Sequence, residues 1–350
     1  MKHNFGAGPC ILPQEVFKQA AEAVLDFNGL SILEVSHRSP DFVSVMEEAR
    51  ENVKKALQVP DGYTVLFLQG GASLGFLIAA YNMAGKNKKG AYINTGEWST
   101  KAIKEAKSAG IEPVVIASSE DKNFSYIPKG ASIPDDVDYV HYTSNNTIYG
   151  TQFKDIPVTD KPLICDMSSD IFSQTIDVSK FDLIYAGAQK NLGPAGATLY
   201  IVKDSVLGNS SIEHIPTYLN LAVHAKKDSM FNTPPVFSIF VSNLNLKHLL
   251  SHGGVAAIQK LNEAKAAALY AEIDQNPNFE GATAIEDRSL MNVTFRLTDD
   301  SKKEAFDKLW NDANVVGLKG HRSVGGYRAS MYNALEISSV DALVQAMRQL

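Results

Sequence analysis

The sequence predicts an α/β fold: a mostly parallel seven-stranded sheet covered by helices, with a smaller α/β unit attached. Three observations carry the prediction. Between about residues 60 and 202, short apolar, β-branched or aromatic runs alternate with helical stretches, the order parallel strands need because a crossover must join each to the next. The turn Gly70-Gly71 separates an apolar run from a helix start. After about residue 250 the pattern changes, beginning again with a long alanine-rich helix.

The strands expected in order are Tyr63–Leu68, Ala91–Asn94, Pro113–Ala117, Tyr139–Thr143, Leu163–Asp166, Asp182–Tyr185 and Ala197–Val202. Before them, Ser39-Pro40-Asp41 reads as a cap for a helix over Phe42–Leu57, with Met46, Ala49, Val53 and Leu57 on one face. Ser99–Ala109 reads as a second covering helix, with Ala102, Ile103, Ala106 and Ala109 on one face and Gly110 as its stop. Ser251-His252-Gly253-Gly254 breaks the chain before a helix over Val255–Ile273. A strand Ser289–Leu297, a helix near Lys302–Asp312 and a last helix capped by Ser338-Ser339 follow. The division expected is 11–252 for the large domain and 1–10 with 253–350 for the small one.

Composition narrows the function. With 350 residues, 45% hydrophobic and 21% charged, the chain has the material of about two globular domains. A net charge of −6 and a pI near 5.8 leave no basic footprint for nucleic acid. No window approaches the roughly 18 apolar residues that cross a membrane. The start, Met1-Lys2-His3-Asn4-Phe5-Gly6, has no apolar leader core, so a cytoplasmic protein is expected and the sequons at Asn123, Asn145, Asn209 and Asn292 carry no weight. Cys10 and Cys165 lie in no metal-ligand spacing, and no H-E-x-x-H pattern occurs, so no metal is expected.

Lys190 is the residue an ordinary structural role explains least. It follows the apolar run Phe181–Tyr185 inside the glycine-bracketed stretch Ala186–Gly196, and so sits past a strand end, where open α/β sheets bind ligands. Desolvation there lowers a lysine's pKa and makes it a carbonyl-capturing amine. Asp166 follows Pro162–Cys165 one strand earlier and faces the same crevice, although the next residues, Met167–Asp170, also suit a turn aspartate. Pyridoxal phosphate needs this pair: an amine to capture its aldehyde and a carboxylate to keep its ring nitrogen protonated. Leu66–Ser73, followed by Leu74–Ala79, reads as strand, glycine turn and helix start, a grip for the cofactor phosphate. It is not a nucleotide loop, because Phe76 stands where a P-loop requires lysine.

At this point the chain resembles the phosphoserine aminotransferase family, in the class V group of fold-type I pyridoxal phosphate enzymes. The resemblance runs nearly end to end, through Asn4–Pro9, Ser36–Ser39, Gly70–Ser73, Thr95–Ser99, Cys165–Asp170, Tyr185–Asn191, Phe231–Pro235 and Gly320–Ser330. It implies reversible amino transfer between L-glutamate and 3-phosphohydroxypyruvate, giving 2-oxoglutarate and O-phospho-L-serine in serine biosynthesis, with 4-phosphohydroxythreonine in pyridoxine biosynthesis as a further substrate to test. It implies catalytic roles for Lys190 and Asp166, a ring-stacking role for Trp98 and a ring-hydroxyl contact for Thr147. Ala72, Ser73 and Gln189 would hold the phosphate, joined by Asn232 and Thr233 from a second subunit of a homodimer. Arg328 would fork onto the α-carboxylate, and His37, Arg38, His321 and Arg322 would hold the distal phosphate or carboxylate. Two departures bear on the anion site: Gly75 stands where many relatives have glutamine, and Ser73 where some have arginine.

Other class V reactions are the first alternative, namely cysteine desulfuration or transamination of serine or alanine with glyoxylate. Desulfuration needs a mobile thiolate, and neither Cys10 beside Gly8-Pro9 nor Cys165 in a core strand is placed to supply one. A non-phosphorylated substrate would leave His321-Arg322 without a partner. A non-catalytic pyridoxal phosphate regulator is a second alternative, and it would carry an effector or DNA-binding segment that the pattern does not show.

Overall fold

The seven runs read as strands form one sheet in the computed structural model, which describes residues 2–350: β1 (Tyr63–Leu68), β2 (Lys89–Asn94), β3 (Glu112–Ser118), β4 (Tyr139–Thr143), β5 (Leu163–Asp166), β6 (Leu183–Gly187) and β7 (Thr198–Lys203). Their order is β1-β7-β6-β5-β4-β2-β3. Strands β2 to β6 run parallel, while β7 is antiparallel to both neighbours. Every residue of β4, β5 and β6 is buried. That is why these strands read as continuous runs rather than alternating ones: helices cover both faces of the sheet.

On one face lie α1 (Gln14–Leu25), α2 (Pro40–Leu57) and α5 (Val236–Ser251), where Phe42, Met46, Val53 and Ile239 pack with Val65 and Phe67. On the other lie α3 (Gly71–Met83) and α4 (Glu97–Ser108), where Phe76, Ile78 and Ala102 meet Leu66, Tyr92 and Tyr185. The cap read for α2 is present, the Ser39 hydroxyl accepting from the Phe42 amide at 3.4 Å.

The remainder is α6 (Gly254–Gln275), the antiparallel sheet β8 (Phe279–Gly281), β9 (Asn292–Leu297) and β10 (Tyr327–Ser330), with α7 (Lys303–Asp312) and α8 (Ile337–Arg348). Phe5 joins its core beside Leu269, Phe295, Phe306 and Leu343. Two boundaries differ from expectation by more than two residues. The strand expected from Ser289 begins at Asn292, because the Ser289 hydroxyl accepts from the Met291 and Asn292 amides at 3.0 and 2.9 Å and holds a turn there. Ser338 and Ser339 do not cap the last helix. They lie in its first turn behind the N-cap Glu336, and the Ser339 hydroxyl instead meets the His3 ring at 2.9 Å. No helix among the described residues is long and apolar enough to cross a membrane.

Candidate active site

The parallel strands deliver their carboxyl ends to one edge, where Thr143 lies beside Asp166 and Asp166 beside Tyr185. Lys190 follows three residues after β6. A cavity of about 160 Å³ opens there, and it brings together Lys190, Asp166, Trp98 and Thr147 with Ala72, Ser73 and Gln189.

The Lys190 side chain is buried, its ammonium donating to the Thr147 hydroxyl at 2.7 Å and lying 5.7 Å from the centre of the Trp98 ring. Burial brings its pKa down to about 8; the Asp166 charge opposes the drop and the Arg328 charge adds to it. An amine with that value is a usable nucleophile near neutrality.

Asp166 combines the two readings its sequence allowed. Its Oδ1 accepts from the Ser168 amide at 2.9 Å and the Ser168 hydroxyl at 2.6 Å, a local turn. The same hydroxyl accepts from the Gly187 amide at 3.1 Å, tying the carboxylate to β6. Oδ2 takes no hydrogen bond from any described residue and is left for a donor in the cavity. Burial raises the carboxyl pKa, and the Ser168 hydrogen bonds and the Lys190 charge pull it back. A protonated ring nitrogen would supply the missing donor and a positive charge together.

The phosphate turn is the amino end of α3. Gly70 caps it in the left-handed region at φ 98°, no side chain caps the helix, and a Cβ on Gly70 would come within 2.5 Å of Leu74. The first amides of this helix therefore point into the cavity without partners, at its positive end. Gly75, where a glutamine was the familiar residue, lets α3 lie against β6: a Cβ there would sit 2.7 Å from the Tyr185 ring. Trp98 is the second residue of α4, where the Ser99 hydroxyl accepts from the Thr95 and Gly96 amides at 2.9 and 3.0 Å and fixes the turn. The unpaired amides, the open Oδ2, the exposed aromatic face and the buried amine fit a phosphorylated pyridine aldehyde.

Arg328, on β10, donates from Nη1 to the Thr147 carbonyl at 3.2 Å, so Thr147 contacts both cations of the site. The Arg328 Nε is buried without a partner. His321 and Arg322 precede β10 on a loop whose Val324 packs in the cluster that includes Trp98. Burial, with Arg328 and Arg322 close by, lowers the His321 pKa.

Seven expected residues do not line this cavity: Arg328, His321 and Arg322, described above, and His37, Arg38, Asn232 and Thr233. His37 is buried ahead of α2 with its Nε2 unpartnered, and burial and the neighbouring Arg38 lower its pKa. Arg38 is exposed. Asn232 and Thr233 precede α5, with the Thr233 carbonyl accepting from Gln69 at 2.9 Å. Conversely, Thr143, Asn145, Ser168 and Ser169 line the cavity without having been singled out. Asn145 is held by Ser169 at 2.8 Å and Asn292 at 2.7 Å. Ser168 and Asn145 stand within two residues of Asp166 and Thr147, and that proximity was the available signal.

The family model described as "Aminotransferase class-V" matches residues 2–343. The chain is 58% identical to the phosphoserine aminotransferase of Flavobacterium johnsoniae, covering 100% of this chain and 98% of that protein. Among solved structures, the phosphoserine aminotransferase from Bacillus circulans subsp. alkalophilus is 43% identical with a TM-score of 0.96, covering 100% of this chain and 98% of that one. A phosphoserine aminotransferase from Trichomonas vaginalis with bound PLP is 36% identical with a TM-score of 0.94, covering 99% of this chain and all of that one.

Proposed function

The chain belongs to the phosphoserine aminotransferase family of class V aminotransferases, and we propose that it carries out the family's reaction, with L-glutamate and 3-phosphohydroxypyruvate giving 2-oxoglutarate and O-phospho-L-serine. The observation that carries this reading is the convergence of a buried Lys190, an Asp166 with one open oxygen and the uncapped amino end of α3 on one cavity. Pyridoxal phosphate, when bound, supplies the aldehyde that takes up the amino group and the ring that accepts electrons. Lys190 would hold the cofactor through its aldehyde, and its amine would move the proton at the substrate Cα. Asp166 Oδ2 would keep the ring nitrogen protonated. Trp98 would cover the ring and exclude water, Thr147 would contact the ring hydroxyl region, and Ala72, Ser73 and Gln189 would hold the phosphate.

Arg328 forks onto the α-carboxylate of either amino acid, since a guanidinium matches a carboxylate bidentately. His321 and Arg322, with His37 and Arg38, take the distal group. That group is a carboxylate in glutamate and a phosphate in the other substrate, and the same donors suit both. A homodimer completes the site, with Asn232 and Thr233 of one copy joining the phosphate grip of the other. Their position outside their own chain's cavity supports this arrangement. The chain divides functionally at about residue 252, and the two core clusters support it: Leu12 packs in one and Phe5 in the other. The enzyme works in the cytoplasm.

The test is product formation by the purified holoenzyme. Appearance of both 2-oxoglutarate and O-phospho-L-serine is expected. Turnover of glyoxylate in place of the phosphorylated keto acid would overturn the substrate assignment and leave the cofactor chemistry standing.

A further inference from the structure

Apart from Lys190, Lys265 is the only lysine or arginine in the buried class among the described residues, and the chemistry above gives it no task. It lies in α6 with 1% of its surface exposed. Its Nζ donates to three backbone carbonyls, of Met331 at 3.2 Å, Tyr332 at 2.9 Å and Leu335 at 3.0 Å. No carboxylate pairs with it; burial alone pulls its pKa down to about 7. The three aligned acceptors favour the ammonium form against that pull. An apolar side chain of the same length would avoid the desolvation, so packing does not explain the residue.

What the ammonium gathers is a segment linked to the active site in two ways. Residues 331–335 continue directly from β10, which carries Arg328. Within the segment, the Asn333 amide donates to Asn191 Oδ1 at 3.0 Å, and Asn191 is the residue after Lys190. The Asn333 side chain donates to the Phe172 carbonyl and accepts from Asn262 of α6, each at 2.9 Å. A cavity of about 790 Å³ borders Lys265, Asn333 and Leu335. Met331 and Leu335 pack in the small-domain core, and on the side open to the cavity the hydrogen bonds of Lys265 hold the segment's carbonyls.

We propose that Lys265 is a positioning residue for the reaction: by collecting the carbonyls of residues 331–335 it fixes the placement of Arg328 relative to Lys190. The inference rests on the roles given above to those two residues. It reaches them along separate routes, through the chain to Arg328 and through Asn333 and Asn191 to Lys190.

The test is Lys265→Met, which keeps the unbranched chain up to the Cε position and removes its donors. Glutarate is an unreactive dicarboxylate with the carbon skeleton of glutamate, and its binding to the holoenzyme is measured by calorimetry beside KM and kcat for L-glutamate. Glutarate affinity and KM are expected to weaken about tenfold, less than the roughly hundredfold that a 1 Å misplacement can cost. Leu343→Ala, in the same small-domain core and away from the site, serves as the stability-matched control and is expected to leave both unchanged. If Lys265→Met does not fold, Lys265→Gln replaces it; with two donors and a shorter reach it is expected to show a smaller loss in the same direction. Wild-type affinity in the Lys265 variant, or an equal loss in Leu343→Ala at the same thermal stability, overturns the inference alone. A wild-type enzyme that neither binds glutarate nor turns over L-glutamate overturns the functional reading, and this inference with it.

Discussion

Thr147→Val isolates the interaction that sets the nucleophile. The side chains are nearly the same shape, so the cavity keeps its walls while the Lys190 ammonium loses the acceptor it holds at 2.7 Å. A hydrogen bond to a charged group contributes about 1.5–3 kcal/mol, and 1.36 kcal/mol corresponds to one pH unit in a titration. Removing the acceptor destabilises only the protonated form. The Lys190 midpoint is therefore expected to fall from about 8 to roughly 6–7. The assay is the pH dependence of amine labelling at Lys190 in the cofactor-free protein, read by peptide mass spectrometry. Thr147→Ser, which retains the hydroxyl, should titrate as the wild type does. A valine variant whose midpoint stays in place or rises would refute the reasoning, because the hydroxyl would then not be holding the proton on Lys190.

Lys190→Met should abolish transamination and stabilise the cofactor-free fold. The folded pKa near 8 lies below the ordinary 10.5, so the native state is penalised below pH 8 and relieved as pH rises toward 10.5. Denaturant unfolding at pH 7 should show a gain of up to roughly 3 kcal/mol that disappears above pH 10.5, and a less stable variant at pH 7 would contradict this. Ser168→Ala removes one hydrogen bond from Asp166 and leaves the Gly187 amide unpaired. A loss of about 1–3 kcal/mol in thermal stability is expected, with the Asp166 pKa raised further and cofactor affinity reduced; unchanged cofactor affinity would remove Ser168 from the argument. Arg322→Ala should raise KM for the phosphorylated keto acid more than for glutamate, because a dianionic phosphate loses more than a carboxylate. An equal change for both would count against Arg322 as a distal-anion ligand.

The inner strands of the main sheet were readable because burial on both faces leaves unbroken apolar runs, while the half-exposed edge strand β3 was readable from its β-branched run, and the ends of all seven were legible to within a residue or two. The antiparallel sense of β7 was not, since Ala197–Val202 has the same composition whichever way it runs. Helix α5 escaped notice because buried Ile239, Phe240, Val241, Ser242, Asn243 and Leu246 wrap most of its circumference and leave no polar stripe to set the period. Helix α1 begins after Pro13 with no side-chain cap to mark it. In the site, Lys190 and Asp166 stood out because charge at the end of an apolar run is costly without a purpose. Ser168 and Asn145 did not, because small polar residues beside a turn are common and only the fold reveals their partners. The Lys265 carbonyl cluster lies a long way off in sequence, and no local pattern announces it.

The central claim is that one site takes an amino group from glutamate and gives it to a phosphorylated keto acid. The most direct test is the absorbance of the purified holoenzyme during addition of L-glutamate and then of 3-phosphohydroxypyruvate. The cofactor band near the edge of the visible should collapse with the first and return with the second. A band that ignores glutamate, or that returns only with a non-phosphorylated keto acid, would contradict the account.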